Sequence, residues 1–90
     1  MTGTEELRAL ILDIDEKIID LIATRMEIVD ELAKAKRESS QEYWSSEKEM
    51  EVIQRYHELC GEVGLTEEEA RHIAQVILHI SKERQRHAFE

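Results

Sequence analysis

From Leu7 onward the chain places large apolar residues at alternating steps of four and three. The series runs Leu7, Ile11, Ile14, Ile18 and Leu21, is interrupted by Arg25, and resumes at Ile28, Leu32 and Ala35. This spacing holds one face of an α-helix over four heptads and has none of the two-residue alternation of a strand. Thr4 is the expected N-cap of this first helix, with Glu5 and Glu6 placed to complement the helix dipole. A second helix is expected to begin at Ser45 or Ser46, with Ser46 and Glu49 forming a capping box. It carries the stripe Val52, Tyr56, Leu59 and Val63, and Gly61 and Gly64 suit its end. Thr66 and Glu69 read as a further capping box that opens a third helix. Its apolar face comprises Ala70, Ile73, Ala74, Ile77, Leu78 and Ile80. Residues 39–44 are the expected loop. The predicted fold class is all-α, with three helices in a single domain spanning residues 1–90.

Length makes the first helix informative. At 1.5 Å per residue, Thr4 to Lys36 extends roughly 50 Å, whereas a compact chain of 90 residues is about 30 Å across. Two shorter helices cannot cover such a stripe. The pattern therefore predicts an intertwined homodimer in which a second chain covers the remainder.

Polar residues that break the apolar stripes supply the candidate chemistry. Arg25 sits in the seam of the first helix. Lys36 follows 11 residues later, which is about 16 Å along the axis and within about 20° around it. Two long cations on one face, with Val29 and Leu32 between them as an apolar floor, can flank a small anion. Arg25 paired with an acid, and Lys36 extending to solvent at a helix end, is the alternative. On the second helix, steps back from Val52 reach Glu49 and Ser45, with Lys48 beside them. The capping box is an equally complete account of Glu49. On the third helix Ala74, Leu78, Ser81, Gln85 and Ala88 form a second stripe, whose hydroxyl and amide need partners if they face a bundle interior. Arg8 lies 17 residues from Arg25, about 25 Å along the axis and 100° around it. It cannot join Arg25 on one ligand within one helix, but from a second, antiparallel chain it can.

Composition narrows the function classes. A formal charge of −9 disfavours a nucleic-acid or anionic-membrane partner. A lone cysteine, Cys60, fits a reducing compartment and reads as a small buried apolar residue. Met1 to Glu6 lack the basic and apolar regions of a signal peptide, and no apolar run is long enough for a bilayer, so a cytoplasmic location is expected. His57, His72, His79 and His87 share no face that would make a catalytic pair. Tyr43 and Trp44 read as loop anchors.

Taken together, these residues resemble the all-helical chorismate mutases. Leu7-Arg8 precedes Ile14-Asp15-Glu16-Lys17-Ile18, Arg25 lies ten residues beyond Asp15, and Ala33-Lys34-Ala35-Lys36 is similar to the family's lysine segment. Lys48-Glu49 falls where the family has Arg-Glu, and Ser81 and Gln85 fall on its serine and glutamine. The resemblance implies conversion of chorismate to prephenate in phenylalanine and tyrosine biosynthesis, with no cofactor and no metal. It also implies that Arg25, and Arg8 of the other subunit, bind the substrate carboxylates. Lys36 and Gln85 would donate to the ether oxygen, Glu49 and the backbone near Ser45 would hold the ring hydroxyl, Ser81 would help hold a carboxylate, and Lys48 would add positive charge. This sequence departs from the family at Lys48, usually arginine, at Ser45, often aspartate, and in a loop without proline. A lyase of the same fold that removes pyruvate from isochorismate, and a non-catalytic helical dimer, are the competing readings.

Overall fold

The computed structural model describes residues 3–90. Met1 and Thr2, where the segment read for a leader begins, lie outside it. The described chain is three α-helices, α1 (Thr4–Glu38), α2 (Ser46–Glu62) and α3 (Glu67–Ala88), with no strand among the described residues.

Each helix end has an identifiable cause. α1 begins one residue earlier than its sequence suggests. Gly3 is the N-cap and offers no side-chain acceptor, so Thr4 is the first helical residue. α2 is also offset by one from the expected box. Ser45 is its N-cap and accepts the Lys48 N–H at 3.3 Å, so Ser46 and Glu49 do not close a capping box. α3 opens as expected. Thr66 Oγ1 accepts the Glu69 N–H at 3.1 Å, and the Glu69 carboxylate accepts the Thr66 N–H at 2.8 Å. These bonds favour the charged carboxylate and hold its pKa below the ordinary value.

α1 and α2 both terminate in the doubly bonded αL turn known as a Schellman motif. At the end of α2, Leu65 N–H donates to Cys60 O and Gly64 N–H to Gly61 O, with Gly64 at φ 82°. At the end of α1, Gln41 N–H donates to Lys36 O and Ser40 N–H to Arg37 O, and Ser40 takes the left-handed conformation at φ 57°. A side chain there meets the crowding that glycine escapes.

α3 is the central element, because α1 and α2 each pack against it and do not approach each other closely. Met26, Val29 and Ile77 form the buried cluster, with Ile22, Tyr56 and Ile80 packed around it. Ala33, Ala70 and Ala74 are buried almost completely, and side chains this small let the neighbouring backbone come close. Cys60 is buried, as its apolar reading required.

Two predicted stripes are turned from their expected positions. The face α1 gives to α3 carries Met26, Val29 and Ala33, while Ile28 is 65% exposed and Leu32 and Ala35 also lie outside the core. In α2 the inward residues are Val52, Ile53, Tyr56 and Cys60, and Val63 is 74% exposed. Both helices carry apolar residues on more than one face, so periodicity alone cannot select the one that meets α3. In α3, Ile73 is also exposed, whereas Ala74, Leu78, Ser81 and Gln85 are buried as the second stripe predicts.

The N-terminal part of α1 extends beyond the bundle. The chain measures 58 × 23 × 16 Å with a radius of gyration of 16.4 Å, against about 12 Å for a compact chain of this length. Leu7, Leu10, Ile11, Leu12, Ile14, Ile18, Ile19 and Leu21 are all exposed, and every buried residue of α1 lies at or beyond Met26.

The two αL turns give a paired expectation. Ser40→Gly should stabilise the protein by about 0.5–1 kcal/mol by relieving the left-handed serine. Gly64→Ala, where an added Cβ meets no atom within 4 Å, should destabilise it by about 1 kcal/mol through backbone conformation alone. Urea unfolding of both variants measures the difference, and equal midpoints would contradict it.

Candidate functional site

A cavity of about 120 Å³ lies where α1, α2 and α3 converge, in the space left because α1 and α2 meet α3 and not each other. Its apolar lining comes from Val29 and Leu32 of α1, Val52 of α2 and Leu78 of α3, with Trp44 contributed by the loop. Val29 and Leu32 thus form the floor that spacing along α1 suggested. Val52 and Leu78 were not legible as site residues, since an apolar side chain in a stripe reads simply as core, and Trp44 read only as a loop anchor.

Arg25 and Lys36 both line this cavity, and each is oriented by an uncharged group on α3. Arg25 donates from Nη1 to Ser81 Oγ at 2.6 Å. The Ser81 hydroxyl donates in turn to Ile77 O at 2.7 Å, four residues back along its own helix. Ser81 therefore has its proton on α3 and a lone pair on Arg25, and it orients that guanidinium. Among the described residues Arg25 is not paired with an acid, contrary to the alternative reading. Lys36 Nζ donates to Gln85 Oε1 at 2.6 Å and to the backbone carbonyl of Tyr43 at 3.1 Å. It turns inward and does not extend to solvent. Partial burial among these groups removes water from the ammonium and lowers its pKa from the ordinary 10.5.

The amide of Gln85 is nearly fully buried and its oxygen is occupied by Lys36. Its two N–H donors have no intramolecular acceptor among the described residues, and they border the cavity. Glu49 is half-buried on the α2 side of the cavity. Because Ser45 caps α2 with the Lys48 N–H, Glu49 is released from the capping role that sequence allowed it, and its carboxylate has no hydrogen-bond partner among the described residues. Ser45 and Lys48 are exposed at the cavity's edge, with the Ser45 hydroxyl committed to the cap and Lys48 paired with Glu51 at 3.4 Å.

Arg8 is not brought to this cavity. It is exposed on the first turns of α1, where it pairs with Glu5 at 3.3 Å. The histidines do not line the cavity either. His87 does contact a carboxylate, Glu90 at 3.2 Å, but the pair is exposed at the end of the chain. No helix among the described residues is long and apolar enough to cross a membrane.

The lining thus holds three cations, Arg25, Lys36 and Lys48, and one carboxylate, Glu49; Lys48 pairs with Glu51 at the edge, so Arg25 and Lys36 carry the interior positive charge in a chain of charge −9. Such a cavity can take an anion carrying two negative charges, with amide donors from Gln85 beside it. Gln85 does not titrate. Lys36 is cationic below its lowered pKa and neutral above it, so its attraction for an anion falls as pH rises through that value. Affinity for a small dicarboxylate, followed by calorimetry, should stay level between about pH 6 and 8 and decline at an alkaline pH below 10.5. A steep loss between pH 6 and 8 would contradict the assignment of Lys36.

Among known proteins, no curated protein and no solved structure matches the chain. A model of the chorismate mutase type II family matches residues 7–86, which takes in α1 from Leu7, all of α2 and α3 as far as Arg86. That match covers nearly the whole length and every residue of the cavity, and the chain therefore belongs to the chorismate mutase type II family.

Proposed function

We propose that this protein is a chorismate mutase, an isomerase that rearranges chorismate to prephenate. The observation that carries this reading is the pairing of cations with neutral acceptors across α1 and α3, Arg25 with Ser81 and Lys36 with Gln85, in a cavity lined by more cations than carboxylates. The rearrangement breaks a carbon–oxygen bond and forms a carbon–carbon bond within one molecule. It requires no nucleophile and no proton transfer, so the protein contributes position and charge.

In this reading Arg25 binds one substrate carboxylate, and the substrate is held in the compact conformer from which it reacts. Lys36 and the N–H groups of Gln85 donate to the ether oxygen, where negative charge develops as the bond breaks. A donor fixed in a partly dry cavity acts there without reorganising, which is why its effect exceeds that of the same group in water. Glu49 accepts from the ring hydroxyl, assisted by backbone groups near Ser45. Ser81 serves the carboxylate through Arg25, and Lys48 adds positive charge at the edge. Lysine at position 48 keeps that charge without the planar two-pronged donor of arginine.

The second carboxylate calls for Arg8 of another subunit. The eight exposed apolar residues between Leu7 and Leu21 support a homodimer in which the two α1 helices run antiparallel, and covering them would gain roughly 1 kcal/mol each. Sedimentation at micromolar concentration should give twice the chain mass of 10.6 kDa. Mixing Arg8→Ala with Lys36→Ala subunits, each inactive alone, should restore about a quarter of wild-type activity, because half the dimers are mixed and each of these has one intact site. No recovery would overturn a site shared between subunits.

The deciding assay is the loss of chorismate absorbance on addition of purified protein, with isochorismate in parallel. Turnover of isochorismate alone would favour the lyase. Lys36→Ala should lower activity at least about 10²-fold, and Gln85→Ala should also lower it. Unchanged activity in both would leave a non-catalytic helical dimer.

A further inference from the structure

The Lys36 ammonium has two acceptors, and only one of them, Gln85, is a side chain. The other is the backbone carbonyl of Tyr43, in the loop of residues 39–45. A loop carbonyl is only as well placed as its loop, and nothing in the backbone bonding of residues 42–44 fixes it, since none of them makes a backbone hydrogen bond of its own among the described residues. The neighbouring Trp44 does not secure it by hydrogen bonding either. Its indole N–H is buried without a partner, a net cost of about 1–3 kcal/mol.

Position is supplied instead by the C-terminal turn of α3. The Tyr43 ring lies against Phe89, centroids 6.0 Å apart and planes inclined at 50°. This is the tilted arrangement that aromatic pairs favour. One residue before Phe89, the carbonyl of Ala88 accepts from Arg37 Nη1 at 2.8 Å. Arg37 adjoins Lys36, so consecutive residues of α1 act in different directions. Lys36 turns into the cavity, and Arg37 ties the end of α1 to the end of α3. Lys82 of α3 adds a cation 5.6 Å from the centre of the Trp44 ring. Ala88 and Phe89 lie just beyond residues 7–86, which the family model matches.

We infer that Phe89 and Arg37 are positioning residues, forming a clasp that holds the Tyr43 carbonyl on the Lys36 ammonium and so fixes the cation in the cavity. The inference rests on the mutase reading only for its effect on turnover. Its structural half, the ordering of Lys36 and the loop, holds whatever the cavity binds.

The test uses Phe89→Ala, with Phe89→Tyr as the conservative variant. Trp44 is the only tryptophan in the chain, so its fluorescence reports the loop directly. Phe89→Ala should make Trp44 markedly more accessible to acrylamide quenching and abolish the slowly exchanging amino-group resonance of Lys36 in nitrogen-edited NMR. Phe89→Tyr should restore both. Far-ultraviolet circular dichroism checks that the helices persist. If they do not in Phe89→Ala, Arg37→Ala carries the same comparison. In an active enzyme the clasp predicts a fall in kcat of about tenfold with KM within about twofold of wild type, because Lys36 keeps its charge in the cavity but loses its direction on the breaking bond, while Arg25 lies away from the clasp. A general loosening of the fold would raise KM as well. Unchanged quenching and an unchanged Lys36 resonance would overturn the clasp, and a loosened loop with kcat unchanged would overturn its effect on turnover. Wild-type protein inert toward chorismate would overturn the mutase reading instead, and the quenching and Lys36 signals would still decide the clasp.

Discussion

Two hydrogen bonds between α1 and α3 determine what the cavity can be. Arg25 and Lys36 are long cations whose default is to extend into water, and on a free helix nothing would keep them together. Ser81 and Gln85, one turn apart on α3, each offer an oxygen at 2.6 Å to one of them. Neutral acceptors matter here. A carboxylate at either position would satisfy the cation more strongly and cancel its charge, whereas a hydroxyl and an amide fix direction and leave the charge available. The cavity's positive character in an acidic protein follows from that choice of partner.

The same bonds depend on the central position of α3. Because α1 and α2 each pack on it with small or apolar residues and leave a gap between themselves, the polar stripe of α3 faces that gap and not solvent. Glu49 and Val52 then approach from the opposite side. Three helices with only two packed interfaces are a poor design for burying apolar surface, and the exposed length of α1 shows the deficit. They are well suited to enclosing a ligand.

Much of this was legible in the residues. Three helices, the loop between the first two, the capping box at Thr66 and the inward stripe of α3 all follow from spacing and turn chemistry. Arg25, Lys36, Ser81 and Gln85 stood out because each places a polar group where its stripe asks for an apolar one. The faces of α1 and α2 that meet α3 were harder to identify. Both helices are apolar on more than one side, and the choice between sides is made by tertiary packing. The role of Glu49 was likewise undecidable from spacing, since Ser46 and Glu49 satisfy the capping pattern on paper. A one-residue difference in where α2 starts frees Glu49 from the cap. The Tyr43 carbonyl had no signal at all, because a backbone acceptor leaves no trace in residue type.

That one-residue offset has a consequence for how position 45 can vary. With its hydroxyl capping α2, the residues that can stand there without fraying the helix form a short menu of serine, threonine, asparagine and aspartate. Within that menu the helix is nearly indifferent, but the cavity is not, since aspartate alone brings a negative charge to its edge. Serine therefore preserves the architecture while setting the local charge one unit more positive than aspartate would. Position 45 is a place where drift permitted by folding can change the charge at the cavity's edge without disturbing Arg25, Lys36, Ser81 or Gln85.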